Sequence, residues 1–208
     1  MDNKLNIRLI KTSTWLLSII LFINVSYSQT NFFKTTSESK VKISGTSSLH
    51  DWHMEAPIDA CDLSITKIAS AGILELTSIS LELPVNLLKS NKKKMDKIAY
   101  KALQSEEFPV LKFKSADIQQ ISIGQNGVVS GKVKGVLEIA GVQKNIILPV
   151  SGKRIDPSNL SFQFEFSLNM EDYKVEPPSF MFGAITTGSE IELDFNLKFN
   201  ELNQLSNQ

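Results

Sequence analysis

Two stretches of this chain alternate so strictly that they leave little freedom in what it can fold into. In "LSFQFEFSL", Leu160, Phe162, Phe164, Phe166 and Leu168 fall on one side, and Ser161, Gln163, Glu165 and Ser167 on the other. In "EIELDFNLKF", Ile191, Leu193, Phe195, Leu197 and Phe199 alternate with charged or amide residues in the same way. Neighbouring side chains of an extended strand point to opposite faces, so this pattern specifies strands with one dry and one wet face. Antiparallel sheets have that character. Weaker stripes recur at Ile79–Leu81–Leu83–Val85, Leu111–Phe113, Val133–Leu137–Ile139 and Ile146–Leu148–Val150. The turn signals "GQNG" at 124–127, "AGVQKN" at 140–145 and "DPSN" at 156–159 punctuate them. Many strands at short spacing in one domain predict a barrel or a sandwich.

One segment has a different period. Met95, Ile98, Ala99, Ala102 and Leu103 follow the i, i+3, i+4, i+7, i+8 spacing of an amphipathic helix. Lys92, Lys93 and Lys94 suit the positive end of a helix dipole badly, which predicts a start near Met95. Pro109 disfavours helix at the residue before it, so the helix is expected over about 95–104. Its apolar stripe needs a partner, most simply one end of the barrel. Gly131 and Gly135 share the inner face of their strand with Val133, Leu137 and Ile139. Glycine there serves either tight curvature or space for a ligand.

The first residues are read as an export signal. Lys4, Arg8 and Lys11 precede the apolar run "WLLSIILFINV", and Ser26 and Ser28 sit where a signal peptidase reads small residues. Cleavage is expected after Ser28, which makes 1–28 a leader and 29–208 one domain, periplasmic or secreted. Retention as an uncleaved anchor is the alternative. Loss of the leader turns 22 basic and 22 acidic groups into 19 and 21, a net of −2. Such a surface offers no electrostatic footprint for nucleic acid. Cys61 is the only cysteine, so no intramolecular disulfide forms and stability rests on a hydrophobic core.

Four segments, in order, resemble the YceI-like family in its Bacteroidetes-type form. They are "SGTSSLHDW" at 44–52, "KKMDKIAYKALQSEEFPVLKFKS" at 93–115, "VSGKVKGVLEIAGVQKNIILPV" at 129–150 and "EPPSFMFGAITTGSEIELDF" at 176–195. The resemblance covers about residues 40–199. It implies an all-β fold: one antiparallel, eight-stranded, lipocalin-like barrel with one short helix and an elongated apolar cavity. It also implies a long-chain ligand, a polyisoprenoid, an isoprenoid quinone or a similar amphiphile, bound without catalysis and without a resident cofactor. The alternatives are an accessory protein of a membrane b-type cytochrome, with transient membrane contact, or a ligand-free envelope interaction protein. Phe113, Leu137, Ile139, Phe162, Phe164, Phe166, Leu193 and Phe195 are the expected cavity lining. One departure is the polar stretch "TTSESKVKISGTSS", where an aromatic-rich first strand is expected. A closed barrel has no free strand edge, so a homodimer would use loops or outer faces.

Both histidines of the chain lie in "SSLHDWH" at 47–53. His50 and His53 would diverge on a strand, and a zinc site needs three or four protein ligands with no third histidine to supply one. Ser47, Ser48, His50 and Asp51 are too close in sequence to aim at one another as a triad. Neither a nucleophile elbow, a phosphate loop nor a paired-carboxylate motif occurs elsewhere. The segment is read as a barrel-end corner, with His50 and Trp52 as candidates to meet a ligand's head group. In "EPPSFMFG", Phe180, Met181 and Phe182 form an apolar cluster that is a candidate lid.

Overall fold

The computed structural model describes residues 30–202 apart from 59–60, 68–72, 119–120, 124, 157 and 181. Backbone alone is described at 30–31, 61–67, 73–77, 118, 122–123, 125, 154 and 180. The expected leader and cleavage site therefore lie outside the described residues, as does the side chain of Cys61.

Twelve strands build eight staves. β1 (Thr30–Thr35) and β2 (Lys40–Ser47) run end to end along one edge of the long β12 (Ile185–Glu201). β3 (Trp52–Pro57) and β4 (Cys61–Lys67) return beside them. β5 (Ile73–Pro84) pairs with β6 (Val110–Ile118) and then with β7 (Ile121–Ile123), which form the next stave. β8 (Val128–Ile139), β9 (Val142–Asp156) and β10 (Asn159–Asn169) follow as an antiparallel meander, and β10 pairs with β12 over eleven residues. β11 (Ser179–Phe180) makes a short hairpin with the start of β12. Because β1 pairs with β4 on one side and β12 on the other, the circuit of staves closes there. Closure removes the free edges that an open sheet would expose.

The break between β1 and β2 shows how the chain keeps this ladder satisfied. At Ser39, which is buried, the hydroxyl donates to the Lys198 carbonyl and accepts from the Lys198 N–H, each at 2.9 Å. The side chain thus supplies the acceptor for the Lys198 N–H that the interrupted ladder lacks, while the Lys198 carbonyl also accepts from the Thr36 N–H at 2.8 Å. The polar stretch in the sequence is the second half of this stave and not the first strand of the barrel. The first strand starts at Thr30 and carries Phe32 and Phe33, of which Phe33 is buried in the core.

At the other end the barrel is split. β3 pairs with β2, but on its far side the only recorded pairing among the described residues is an isolated bridge from Glu55 to Lys89. The expectation of no free strand edge is corrected here: β5 ends at Pro84, too early to continue beside β3. The chain from 85 to 109 fills the gap. It forms a single 3-10 turn (Val85–Leu87) and then α1 (Lys93–Ala102).

α1 starts two residues earlier than the dipole argument predicts, with Lys93 and Lys94 in its first turn. The reason is Asp96, which is buried and accepts from the Ser90 N–H at 2.8 Å and from the Ser90 hydroxyl at 2.5 Å. A carboxylate in the first turn offsets the lysines and ties the helix to the chain entering it. At the other end of the helix the Tyr100 hydroxyl has one proton to share between the carbonyls of Leu88 (2.7 Å) and Asn86 (3.1 Å). It also accepts from Lys89 Nζ at 2.7 Å. The helix is therefore held by polar ties on one face while its apolar stripe faces the barrel.

Burial acts to raise the pKa of Asp96, but the Ser90 hydrogen bonds and the Lys89 charge outweigh it, and the net shift is downward. A carboxyl lowered in this way stabilises the fold above its ordinary value of 3.8, and the contribution is lost as pH falls through the lowered value. Asp96→Ala is expected to cost about 1–3 kcal/mol at neutral pH, because two hydrogen bonds to a charged acceptor disappear. The gap between variant and wild type should narrow as pH falls from the ordinary value through the lowered one. Urea denaturation at neutral and acid pH measures both.

Candidate functional site

The inner face of the staves carries two apolar chambers. The larger, about 420 Å³, lies under α1 at the split end of the barrel. All five residues of the helix stripe, Met95, Ile98, Ala99, Ala102 and Leu103, form its roof. Met54, Leu111, Ile139, Leu168 and Ile191 from the strands form its walls, and Tyr173 and Val175 close one flank. That flank is positioned by a 3-10 turn at Met170–Tyr173, in which the Asn169 side chain caps the Glu171 N–H at 2.9 Å. Burial, and secondarily Asp172, raises the Tyr173 phenol above its ordinary value.

The smaller chamber, about 80 Å³, lies deeper and is lined by apolar residues throughout. Phe164 and Phe195 stack face to face there, their ring centroids 4.6 Å apart, because the β10–β12 register places them directly opposite. Phe162 meets Phe199 edge-on at 5.8 Å. Leu193 lines both chambers and forms the partition between them. Six of the residues expected to line the cavity, Phe113, Leu137, Phe162, Phe164, Phe166 and Phe195, lie around this small chamber. Ile139 alone of the eight belongs only to the large one. Gly135 leaves no room for a ligand: a Cβ there would lie 2.5 Å from the Phe113 ring, which already fills the space.

"SSLHDWH" forms a corner at the mouth of the large chamber. The Ser47 hydroxyl donates to the His50 carbonyl at 2.6 Å and accepts from the His50 N–H at 3.2 Å, closing a tight turn. His50 Nδ1 lies 2.8 Å from the Asp51 carbonyl, and Trp52 Nε1 donates to the Thr46 carbonyl at 3.1 Å. The Trp52 ring lies against the backbone of Gly45, where any Cβ would come within 2.4 Å of it. His50 and Trp52 both line the chamber; His53 is exposed on β3 and does not. Among the described residues no three His, Cys, Asp or Glu side chains converge as metal ligands would.

Of the candidate lid, Met181 lies outside the described residues, and of Phe180 only the backbone pairing with Ile185 is described. Phe182 sits at a turn with φ 58° and is fully exposed, so its ring does not cover the chamber. Pro178, before β11, and Ile185, which follows the turn, do line it. Periodicity alone did not single out the helix stripe, Met54, Leu168 or Tyr173 as lining. The available signal was the stripe itself, an apolar helix face whose partner had to be one end of the barrel.

Compared with protein families, residues 28–199 match the YceI-like domain. The chain belongs to the YceI-like family. Solved structures with the same YceI-like fold include a polyisoprenoid binding domain from Saccharophagus degradans, implicated in plant cell wall breakdown. It is 13% identical, with a TM-score of 0.58, covering 82% of this chain and 98% of that one. BcnA of Burkholderia cenocepacia aligns at 16% identity and a TM-score of 0.53, over 76% of this chain and 95% of its own. The YceI protein of Campylobacter jejuni aligns at 16% identity and a TM-score of 0.55, over 70% and 84%. No curated protein matches the sequence. At these identities the structural likeness speaks to the fold: an eight-stave antiparallel YceI-like barrel with one helix.

Proposed function

We propose that this chain is an exported, non-enzymatic binding protein that holds the tail of a long-chain amphiphile, an isoprenoid or isoprenoid quinone, beneath α1. The observation that carries this reading is the 420 Å³ apolar chamber under the helix, in a barrel similar in fold to a polyisoprenoid binding domain. Its size is typical of a small-molecule site, for which about 300–1,000 Å³ is usual. Burial of apolar area at about 25 cal/mol per Å² supplies the affinity, on the order of 2–3 kcal/mol per isoprene unit before ordering costs. The chamber takes the units nearest the head group. The small chamber beyond Leu193 receives the end of a longer tail once that side chain rotates.

Trp52 provides the test. The chain has two tryptophans, Trp15 in the leader and Trp52 at the chamber mouth, so in residues 29–208 the emission comes from Trp52 alone. Titration with farnesol or a short-tailed isoprenoid quinone is expected to change that emission saturably. Native mass spectrometry of protein purified from its own host should show an extractable lipid adduct. A bare mass, together with unchanged emission across prenyl and acyl ligands, would overturn the proposal.

A further inference from the structure

We infer that the site under α1 selects amphiphiles with an anionic head group, carboxylate or phosphate, and that Lys92 and Lys94 read that charge. The inference rests on the binding role proposed above and adds the class of head group.

Its basis is the charge around the large chamber. The walls are apolar except near the mouth, where Ser47, His50, Thr187, Lys92 and Lys94 contribute. Two of the lining residues are basic and none is acidic. That bias is not inherited from the chain as a whole, in which 22 basic residues balance 22 acidic ones. Among the described residues neither lysine has an ion-pair partner. The recorded pairs among the described residues are Lys40–Glu55, Lys134–Asp117, Lys144–Asp172 and Lys198–Glu38. Asp96, the acidic residue in the same turn of α1, is bound to Ser90 and has Lys89 as its electrostatic partner.

The position of the lysines matters as much as their sign. Both are exposed residues that still line the chamber, so they stand at its rim. A tail drawn into the apolar interior leaves its head at that rim. Low-dielectric walls strengthen the field of unpaired charges beside them. A neutral head would leave the two ammonium groups as they are in water, whereas an anionic one gains attraction to both.

The experiment compares heads on the same tail. Farnesyl phosphate is set against farnesol, and hexadecanoate against hexadecanol, so that the two arms separate phosphate from carboxylate recognition. Binding to residues 29–208 is read through Trp52 emission, for wild type and for Lys92→Gln/Lys94→Gln. In the wild type at least one anionic ligand is expected to bind about tenfold or more tightly than its alcohol. The double variant should lose that preference, its affinity falling much more for the anions than for the alcohols. Added salt should shrink the wild-type preference. Equal binding of anion and alcohol in both wild-type arms overturns the inference and leaves the binding role standing. A preference that survives in the double variant also overturns it, because another group then reads the charge. If no ligand of either kind binds, the binding role itself fails. Circular dichroism of the variant verifies its fold, and Lys92→Glu/Lys94→Glu, expected to favour the alcohols, provides an independent second reading.

Discussion

Replacing Phe162 by alanine is expected to lower the unfolding free energy by about 3–5 kcal/mol, the range for removing a buried phenylalanine. Phe162 is buried, contacts Phe199 edge-on, and pairs across β9 with Gly152, where a Cβ would come within 2.6 Å of its ring. Gly152 therefore cannot fill the space that the ring vacates. The lost volume joins the existing 80 Å³ chamber, and the residual cavity adds its own cost to the lost transfer energy. For a domain of this size, such a loss corresponds to a fall of about 10 °C in the melting midpoint. Thermal and urea denaturation of residues 29–208 measure it. A loss below about 1 kcal/mol would mean that the phenylalanine ladder is not part of the barrel's structural floor.

Filling the large chamber should have the opposite profile, with binding lost and stability kept. Ala99 lies in the middle of the α1 stripe and lines the chamber roof. In Ala99→Phe the new ring enters empty apolar space, and phenylalanine is a slightly poorer helix former than alanine, by a few tenths of a kcal/mol. The ring displaces ligand carbons, each worth about 0.8 kcal/mol on burial. Exclusion of three or four carbons lowers affinity by about 2.5–3 kcal/mol, roughly a hundredfold. Titration of Trp52 emission with farnesol measures the first quantity and the melting midpoint the second. Farnesol affinity equal to wild type would place the ligand elsewhere.

These two residues have different functions although sequence patterning treats both simply as apolar. Phe162 belongs to a stripe so regular that its inward face was legible from local alternation, and the same is true of Phe164, Phe166 and Phe195. Alternation reports which face a side chain takes, because the strand period is two. It does not report height along the barrel axis. Height follows from cross-strand register, and the pairing of Phe164 with Phe195 and of Phe162 with Leu197 sets these rings around the small chamber. The aromatic stripe thus lines the small chamber, while the helix stripe and the strand residues at the split end line the large one.

The helix shows the same division. Its existence and its apolar stripe were legible, because the 3.6-residue period is local. Its start was not, because the advantage of beginning at Lys93 comes from the Asp96–Ser90 bonds, which form only when the chain before the helix folds back on it. The corner at 47–53 was legible as a turn from its serines and aspartate. That its tryptophan lies on Gly45 depends on the pairing of β2 with β3.

By itself, then, the sequence determined an all-β domain of inward-facing apolar stripes, one amphipathic helix, and a turn at 47–53 that carries both histidines. Those features are written in short-range periodicity and side-chain chemistry, which act before distant segments meet. Only the tertiary structure decided that the barrel splits where β5 ends short of β3, that α1 roofs the gap, and that the interior divides at Leu193. Each of these depends on which residues of distant strands lie opposite one another, and that register is settled by packing across the whole barrel.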